Sequence, residues 1–252
     1  MSEGAVIASI PPPERDAGAG AGSGPSLAVA PEPLRPCFEL WGVSMRWRRQ
    51  KHRVLADLEL LVERGEAVHV SGRNGTGKTT LLRVASGLLT PEAGVVCLCD
   101  LHPRRDRREY QRRLGFLSAG DRGLYARLTV QRQLDFWTRL FFIPRGERTA
   151  AVETALDRFE LRDLKNRRLD RMSQGQRQRV RLASAFIHSP ALLLLDEPAN
   201  SLDEDGVAML AGAVRRHVEA GGAAIWCSPS GEPRDLPCTA SYRLERGRLV
   251  EA

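Results

Sequence analysis

Gly72-Arg73-Asn74-Gly75-Thr76-Gly77-Lys78-Thr79 is the stretch on which the fold turns. It fits the pattern G-x-x-x-x-G-K-[ST] without a mismatch. A strand-like run, Glu66-Ala67-Val68-His69-Val70-Ser71, precedes it, and a helix-like run, Thr80-Leu81-Leu82-Arg83-Val84-Ala85, follows. Strand, glycine-rich loop and helix in that order form a phosphate cradle. Glycines let the backbone wrap closely, so several N–H groups and a helix N-terminus face negative charge. In such a loop Lys78 reaches the β- and γ-phosphates, and the Thr79 hydroxyl is a ligand for Mg²⁺. The expectation is a chain that binds a nucleoside triphosphate.

Working outward, Phe38 to Val70 reads as short β runs broken by turn chemistry at residues 48–51 and 63–66. The helix after the loop ends near Gly87, and a β segment runs from Gly94 to Leu98. Residues 104–172 read as mostly helical, with a helix start at Leu128-Thr129-Val130 and a second helix from Ala150 to Phe159. The final third alternates: helix Gln174 to Ile187, strand Ala191 to Leu195, helix Glu204 to Glu219, strand Ala223 to Trp226. This alternation around a phosphate loop predicts an α/β core with helices packed on a sheet. Residues 1–35, rich in Gly, Ala, Pro, Ser and Glu, bury too little apolar surface to offset their ordering entropy and are expected to be a disordered tail. There is no internal repeat.

A chain of 252 residues with 42% hydrophobic composition buries a sizeable core. The net charge of +7 suits an acidic partner, a membrane surface or nucleic acid, and does not choose among them. Its arginine runs, such as Arg104-Arg105 and Arg112-Arg113, read first as solvated helix faces. Five cysteines at irregular spacing do not form a disulfide framework. Alternation places Cys97 and Cys99 on one strand face, where packing is the expected role and reduced thiols fit a cytoplasmic location. No apolar stretch approaches the ~18 residues that span a bilayer. Glu3 and Pro11-Pro12-Pro13 do not read as a signal peptide.

A second set of motifs follows. Leu192-Leu193-Leu194-Leu195 runs into Asp196-Glu197. At the end of a buried strand Asp196 is placed to hold Mg²⁺ and Glu197 to polarise an attacking water as general base. Ser173-Gln174-Gly175-Gln176 opens a helix, where hydroxyl, backbone N–H and dipole make a second anion site.

Phosphate loop, Ser-x-Gly-Gln helix, Leu-Leu-Leu-Asp-Glu-Pro and Ser201-Leu202-Asp203 come in an order that resembles the ATP-binding cassette (ABC) transporter ATPases, over about residues 38–250. The resemblance implies a P-loop NTPase core of ABC type within 36–252, with an N-terminal antiparallel β subdomain and a helical subdomain at about 119–172. It implies ATP and Mg²⁺ as ligands. Gly72, Arg73, Asn74, Gly75, Thr76, Gly77, Lys78, Thr79 and Thr80 would grip the phosphates, and Trp47 would stack on adenine. Two such subunits pack head to tail in that family. Ser173, Gln174, Gly175 and Gln176 would therefore meet ATP held by a second subunit, and Asp203 would bridge the two sites. Lys78 and Glu197 would carry catalysis, with Thr79 and Asp196 at the metal.

The partners implied are a transmembrane permease subunit and a second ABC ATPase subunit, the same chain or a relative, with no nucleic acid expected. The location implied is cytoplasmic, peripheral on the membrane. Leu124 to Thr129 looks most like an exporter subunit, and the apolar segment Leu134 to Ile143, with Trp137 and Phe141, would help form the groove for the membrane partner. Two departures stand out. The family's glutamine is absent after Gly115-Phe116-Leu117, where Ser118-Ala119-Gly120-Asp121 follows, and its histidine is absent at Ser228-Pro229-Ser230. His217 comes a whole strand too early to replace it. Slow basal hydrolysis is expected. An ATPase of a soluble assembly machine, or a nucleotide-controlled clamp, carries the same motifs.

Overall fold

A computed structural model describes residues 36–47, 52–120, 123–229 and 236–252. The readings made on residues 1–35, on the 48–51 turn, on Asp121 and on Ser230 lie outside these residues. Strands β1 (Phe38–Met45) and β2 (Leu55–Val62) pair antiparallel, and β3 (Ala67–Gly72) leads into helix α1 (Lys78–Ala85). Strand β4 (Ala93–Leu98) returns to the other edge of β1, giving a three-stranded antiparallel sheet of order β2-β1-β4. On β2 buried and exposed residues alternate from Leu58 to Val62, as expected for a strand with one face on the core.

The chain continues through α2 (Arg107–Arg112), β5 (Leu114–Leu117), α3 (Val130–Leu140), α4 (Arg148–Arg158) and two short 3₁₀ turns. Then come α5 (Gln174–Phe186), β6 (Leu192–Asp196), α6 (Glu204–Glu219), β7 (Ala223–Pro229), β8 (Ala240–Glu245) and β9 (Arg248–Glu251). The second sheet has the order β5-β6-β7-β3-β8-β9, parallel through β8, with β9 antiparallel at the edge. The architecture is the α/β P-loop NTPase fold.

Strand β6 shows how the layers are built. Leu192 and Leu194 enter the core shared with the antiparallel sheet, whereas Leu193 and Leu195 enter the core beneath α3 to α6. A strand buried on both faces reads as a continuous apolar run. At roughly 2 kcal/mol per fully buried side chain, these four leucines fix the centre of the sheet. The strand begins one residue later than the sequence suggests, because the Ala191 N–H is already committed to the Arg113 carbonyl at 2.8 Å. Strand β7 runs three residues beyond Trp226, held in register by β3 as far as Gly72 opposite Pro229. No helix among the described residues is long and apolar enough to cross a membrane.

Gly115 is where β5 passes closest to its neighbours. A Cβ there would lie 2.3 Å from the Ala185 carbonyl oxygen and 2.9 Å from the Pro190 ring. Overpacking against fixed backbone costs typically 1–3 kcal/mol, so Gly115→Ala is expected to lose about 2–3 kcal/mol of stability. Urea unfolding of the variant beside the wild type checks this. An unchanged midpoint would mean that β5 and α5 are free to separate.

Candidate active site

The parallel sheet brings the ends of β3, β7 and β6 to one edge: Gly72 pairs with Pro229, and Asp196 with Cys227. Loops leaving that edge converge, which is where α/β folds place ligands. Gly75 and Gly77 sit at φ 84° and 113°, a left-handed region that side-chain-bearing residues rarely enter. A Cβ on Gly72 would lie 2.8 Å from the Thr76 hydroxyl oxygen and 3.0 Å from the Leu244 carbonyl. The loop is thus wound tightly over the first turn of α1, whose N-terminus has no side-chain cap. Its free N–H groups and dipole favour an anion.

Lys78 is buried, and its ammonium donates to the Gly72 carbonyl at 2.6 Å and the Arg73 carbonyl at 3.3 Å. An ammonium has three donors, so one remains for a phosphate oxygen. Arg73 and Asn74 are exposed on the rim, and Thr80 is buried behind the loop. The Thr79 hydroxyl donates to Asp196 Oδ2 at 2.8 Å. Asp196 is only 2% exposed, and its other oxygen, Oδ1, has no hydrogen-bond partner among the described residues. An unpaired buried carboxylate oxygen is costly, and a carboxylate beside a hydroxyl is an oxygen donor set for a hard cation. These two residues therefore fit Mg²⁺.

Glu197 follows with φ 50°, its N–H donating to the Cys227 carbonyl at 3.0 Å and its carbonyl accepting from Asn200 at 3.1 Å. Its half-buried carboxylate is carried on a backbone fixed from both sides. Trp47 is 36% exposed, two residues beyond β1. Val54, which donates to the Met45 carbonyl, lies 2.7 Å from where a Gly77 Cβ would be, so the strand ends flanking Trp47 abut the phosphate loop.

Ser173 caps α5 in a capping box with Gln176, each side chain accepting from the other's backbone N–H. Gln174 is exposed beside them, and a Cβ on Gly175 would lie 2.8 Å from the Ser201 carbonyl. Asp203 caps α6 by accepting from Gly206, a bond that together with Arg179 holds its carboxyl below the usual range. The predicted residues thus fall into two groups. Residues 72–80 gather with Asp196 and Glu197, while Ser173 to Gln176 gather with Ser201 and Asp203. Among the described residues no hydrogen bond joins one group to the other.

Two polar networks behind the site escaped the sequence reading. Arg181, on α5, donates to the Ser118 carbonyl and at 2.6 Å to Gln178, whose amide donates to the Pro198 carbonyl at 2.9 Å. His69 stacks on Trp226 at 3.9 Å and is hydrogen-bonded to Ser228 at 2.9 Å and Ser241 at 3.2 Å. The Ser228 side chain is therefore engaged within the sheet. His217 lies at the other end of β7, bonded to the Ala223 carbonyl. A groove of about 560 Å³ opens between α2 and α3, lined by Leu88, Trp137, Leu140, Phe141 and Phe142, with Arg108 over the Phe142 ring at 4.5 Å. Trp137 and Phe141 are half-buried there, while Leu140 and Phe142 are each 49% exposed.

Arg181 ties the strand ends at Ser118 and Pro198 to one helix. Arg181→Met keeps the stem and leaves a carbonyl and an amide oxygen buried without a donor. Bonds to a charged group contribute about 1.5–3 kcal/mol each, so a loss of about 3 kcal/mol in denaturant unfolding is expected. A loss under about 0.5 kcal/mol, the range of ordinary surface changes, would show the network to be incidental.

The ABC transporter family matches residues 55–200. The ABC transporter ATP-binding protein NatA of Bacillus subtilis is 40% identical over 166 residues, 65% of this chain and 68% of that one. The cytochrome c biogenesis ATP-binding export protein CcmA of Rhodobacter capsulatus is 38% identical over 172 residues, 68% and 72% of the two chains. The fold is shared with cbiO1 of Clostridium perfringens, part of the ABC transporter complex cbiONQ, at a TM-score of 0.75 and 23% identity, covering 86% of this chain and 87% of that one. With the family match spanning more than half of its length, this chain belongs to the ATP-binding proteins of the ABC transporters.

Proposed function

We propose that this chain is the ATP-hydrolysing subunit of an ABC transporter, working as a dimer of cassettes on a separate transmembrane subunit. Residues 36–252 form the ATPase domain, with a helical subdomain at about 119–172. The observation that carries the reading is the Thr79–Asp196 contact, with an unpartnered buried oxygen beside Glu197. Lys78 and the loop N–H groups of residues 72–80 bind the phosphates, and Trp47 covers the adenine. Mg²⁺, when bound, neutralises phosphate charge. Glu197 takes the proton of the attacking water, and its fixed backbone orients the carboxylate without reorganisation. Ser173 to Gln176 lie apart from the phosphate loop and are offered to ATP held by a second subunit, with Asp203 at the junction.

Lys78→Ala is expected to abolish Mg-ATP binding, and wild-type affinity in that variant would overturn the reading. Glu197→Gln should keep the phosphate contacts and trap the dimer. Size-exclusion chromatography with and without ATP checks this, and a monomer in both conditions would sink the homodimer, leaving a relative as partner.

The groove supports a membrane partner over a soluble one. Its apolar floor and exposed Leu140 and Phe142 suit a short helix of the transmembrane subunit, with Trp137 and Phe141 as anchors. Association with that subunit places the chain on the cytoplasmic face of the membrane. Export is the direction we favour, on the character of residues 124–129.

Slow basal turnover belongs to the same proposal. The family's glutamine is absent at Ser118-Ala119 and its histidine at Ser228-Pro229-Ser230, and the Ser118 carbonyl and the Ser228 hydroxyl are engaged internally. One well-placed polar contact accounts for on the order of a hundredfold in rate. The isolated chain is therefore expected to turn over well below the ~10 per second of typical enzymes, with nucleotide affinity retained. A steady-state phosphate-release assay decides it, and brisk turnover by the chain alone would remove this part of the proposal.

A further inference from the structure

Strand β1 starts one residue after Cys37, and β4 stops one residue before Cys99. The register sets Phe38 opposite Leu98, which brings the two cysteines opposite each other, and the Cys99 N–H donates to the Cys37 carbonyl at 2.9 Å. Their sulfurs are 3.9 Å apart. Opposed residues on antiparallel strands have Cα atoms about 4.5–5.5 Å apart, inside the 4.4–6.8 Å that a disulfide spans. Side-chain rotation alone closes the gap.

Cys99 packs against the core from a backbone position that a cysteine rarely takes. Alternation along β4 would put it beside Cys97, but the strand ends at Leu98. Leu98 and Leu101 then exchange both backbone hydrogen bonds around Cys99-Asp100, at φ 48° and 64°. That is a tight hairpin turn of the kind that selects Asn-Gly. A cysteine held there is a strained choice. Arg64 Nη2 reaches its sulfur at 3.6 Å, and the Arg113 guanidinium adds a second positive charge acting on it. Cys37 is fully buried and Cys99 partly open to solvent.

We propose that Cys37 and Cys99 are a peroxide-oxidised dithiol, Cys99 the attacking sulfur and Cys37 the resolving one. The Cys37 hydrogen bond and the two arginines hold the Cys99 thiol below its ordinary range, while donation to Cys99 and burial hold Cys37 above it. The Cys99 thiolate attacks one oxygen of hydrogen peroxide. The O–O bond breaks, hydroxide leaves and takes a proton, and Cys99 becomes a sulfenic acid. Cys37 sulfur then attacks Cys99 sulfur, the S–O bond breaks, and water departs with the Cys37 proton. Two thiols and one peroxide give one disulfide and two waters, and a dithiol reductant reverses the change. The other cysteines lack this setting. Cys97 is pushed up to about 11 by burial and by Glu39 and Asp100, and Cys227 is fully buried.

The bond would staple the ends of β1 and β4, closing a segment that contains the phosphate loop and α1. Cys37 Sγ lies 3.4 Å from the Ala191 carbonyl, at the end of the sheet opposite Asp196, so nucleotide binding survives oxidation. The test uses the full reduced chain, equimolar hydrogen peroxide, alkylation and peptide mass mapping. The expected product is a Cys37–Cys99 peptide lighter by two hydrogens, formed at least about tenfold faster than any oxidation of the exposed Cys238 and reversed by dithiothreitol. Cys37→Ser should leave a Cys99 sulfenic acid that dimedone captures. Should that variant fail to fold, Arg64→Gln combined with Arg113→Gln keeps both thiols and is expected to slow the reaction severalfold. Cys99 reacting no faster than Cys238, or oxidation that leaves Cys37 a free thiol, overturns the proposal.

Discussion

The hydrogen bond from Thr79 to Asp196 is the constraint on which the rest of the site depends. It joins residues 117 apart in the chain: Asp196 ends β6, Thr79 lies in the helix that follows β3, and those two strands are not neighbours. Strand β7 lies between β6 and β3, so their ends are roughly 10 Å apart. A single residue of helix α1 must lean across that gap. It reaches only because the phosphate loop turns back through two left-handed glycines before the helix starts. Shift β6 by one residue, and Asp196 would face the other side of the sheet. The four leucines that bury β6 on both faces are therefore as much a part of the site as its carboxylate.

The features legible from sequence are those written in consecutive residues. The phosphate loop, the Asp196-Glu197 pair, the Ser173 cap and the Thr129 helix start each have a local physical cause, and the chain order of strands and helices implied the layered core. Features made by register were not legible. His69 reads as one more residue of an apolar strand until β3 is placed between β7 and β8, when it meets Ser228 and Ser241. Nothing in the sequence around Arg181 names its partner, which β5 supplies as the Ser118 carbonyl. Alternation failed at Cys99, because two positive-φ residues ended the strand where composition alone would have continued it. Strands β8 and β9 carry no motif; pairing with β3 defines β8, and pairing with β8 defines β9.

Helix α5 connects what the sequence presents as separate motifs. Its first turn holds Ser173 and Gly175 against the Ser201 loop, and its middle holds Gln178 and Arg181 against the ends of β6 and β5. Arg179 ties it to Glu160 beyond α4 and to Asp203. Just past its end, His188 stacks on Phe141 at 3.6 Å, and Phe141 on Trp137 at 5.6 Å. Burial pushes the His188 imidazole down to about 4, so it is neutral near pH 7 and the stack carries no charge. Thirteen residues of helix make a rod about 20 Å long. One end of it carries Ser173 and Gly175, and just past the other His188 stacks on Phe141, which lines the apolar groove.

That rod bears on the two stretches where the sequence departs from the family's pattern. A side chain that senses the γ-phosphate has to be free to change partners when the phosphate leaves. Ser118 is followed by no glutamine, and its own carbonyl is tied to α5 by Arg181, so the end of β5 moves with that helix. Ser228 is bound to a histidine inside the sheet, with Trp226 stacked beneath it, so the end of β7 moves with the sheet. On the proposed function, chemistry at this edge would rest on Lys78 and Glu197, the latter carried on backbone fixed from both sides. A partner seated in the groove would then bear directly on α3, reach α5 through the Phe141–His188 stack, and through Arg181 reach the strand ends beside Glu197.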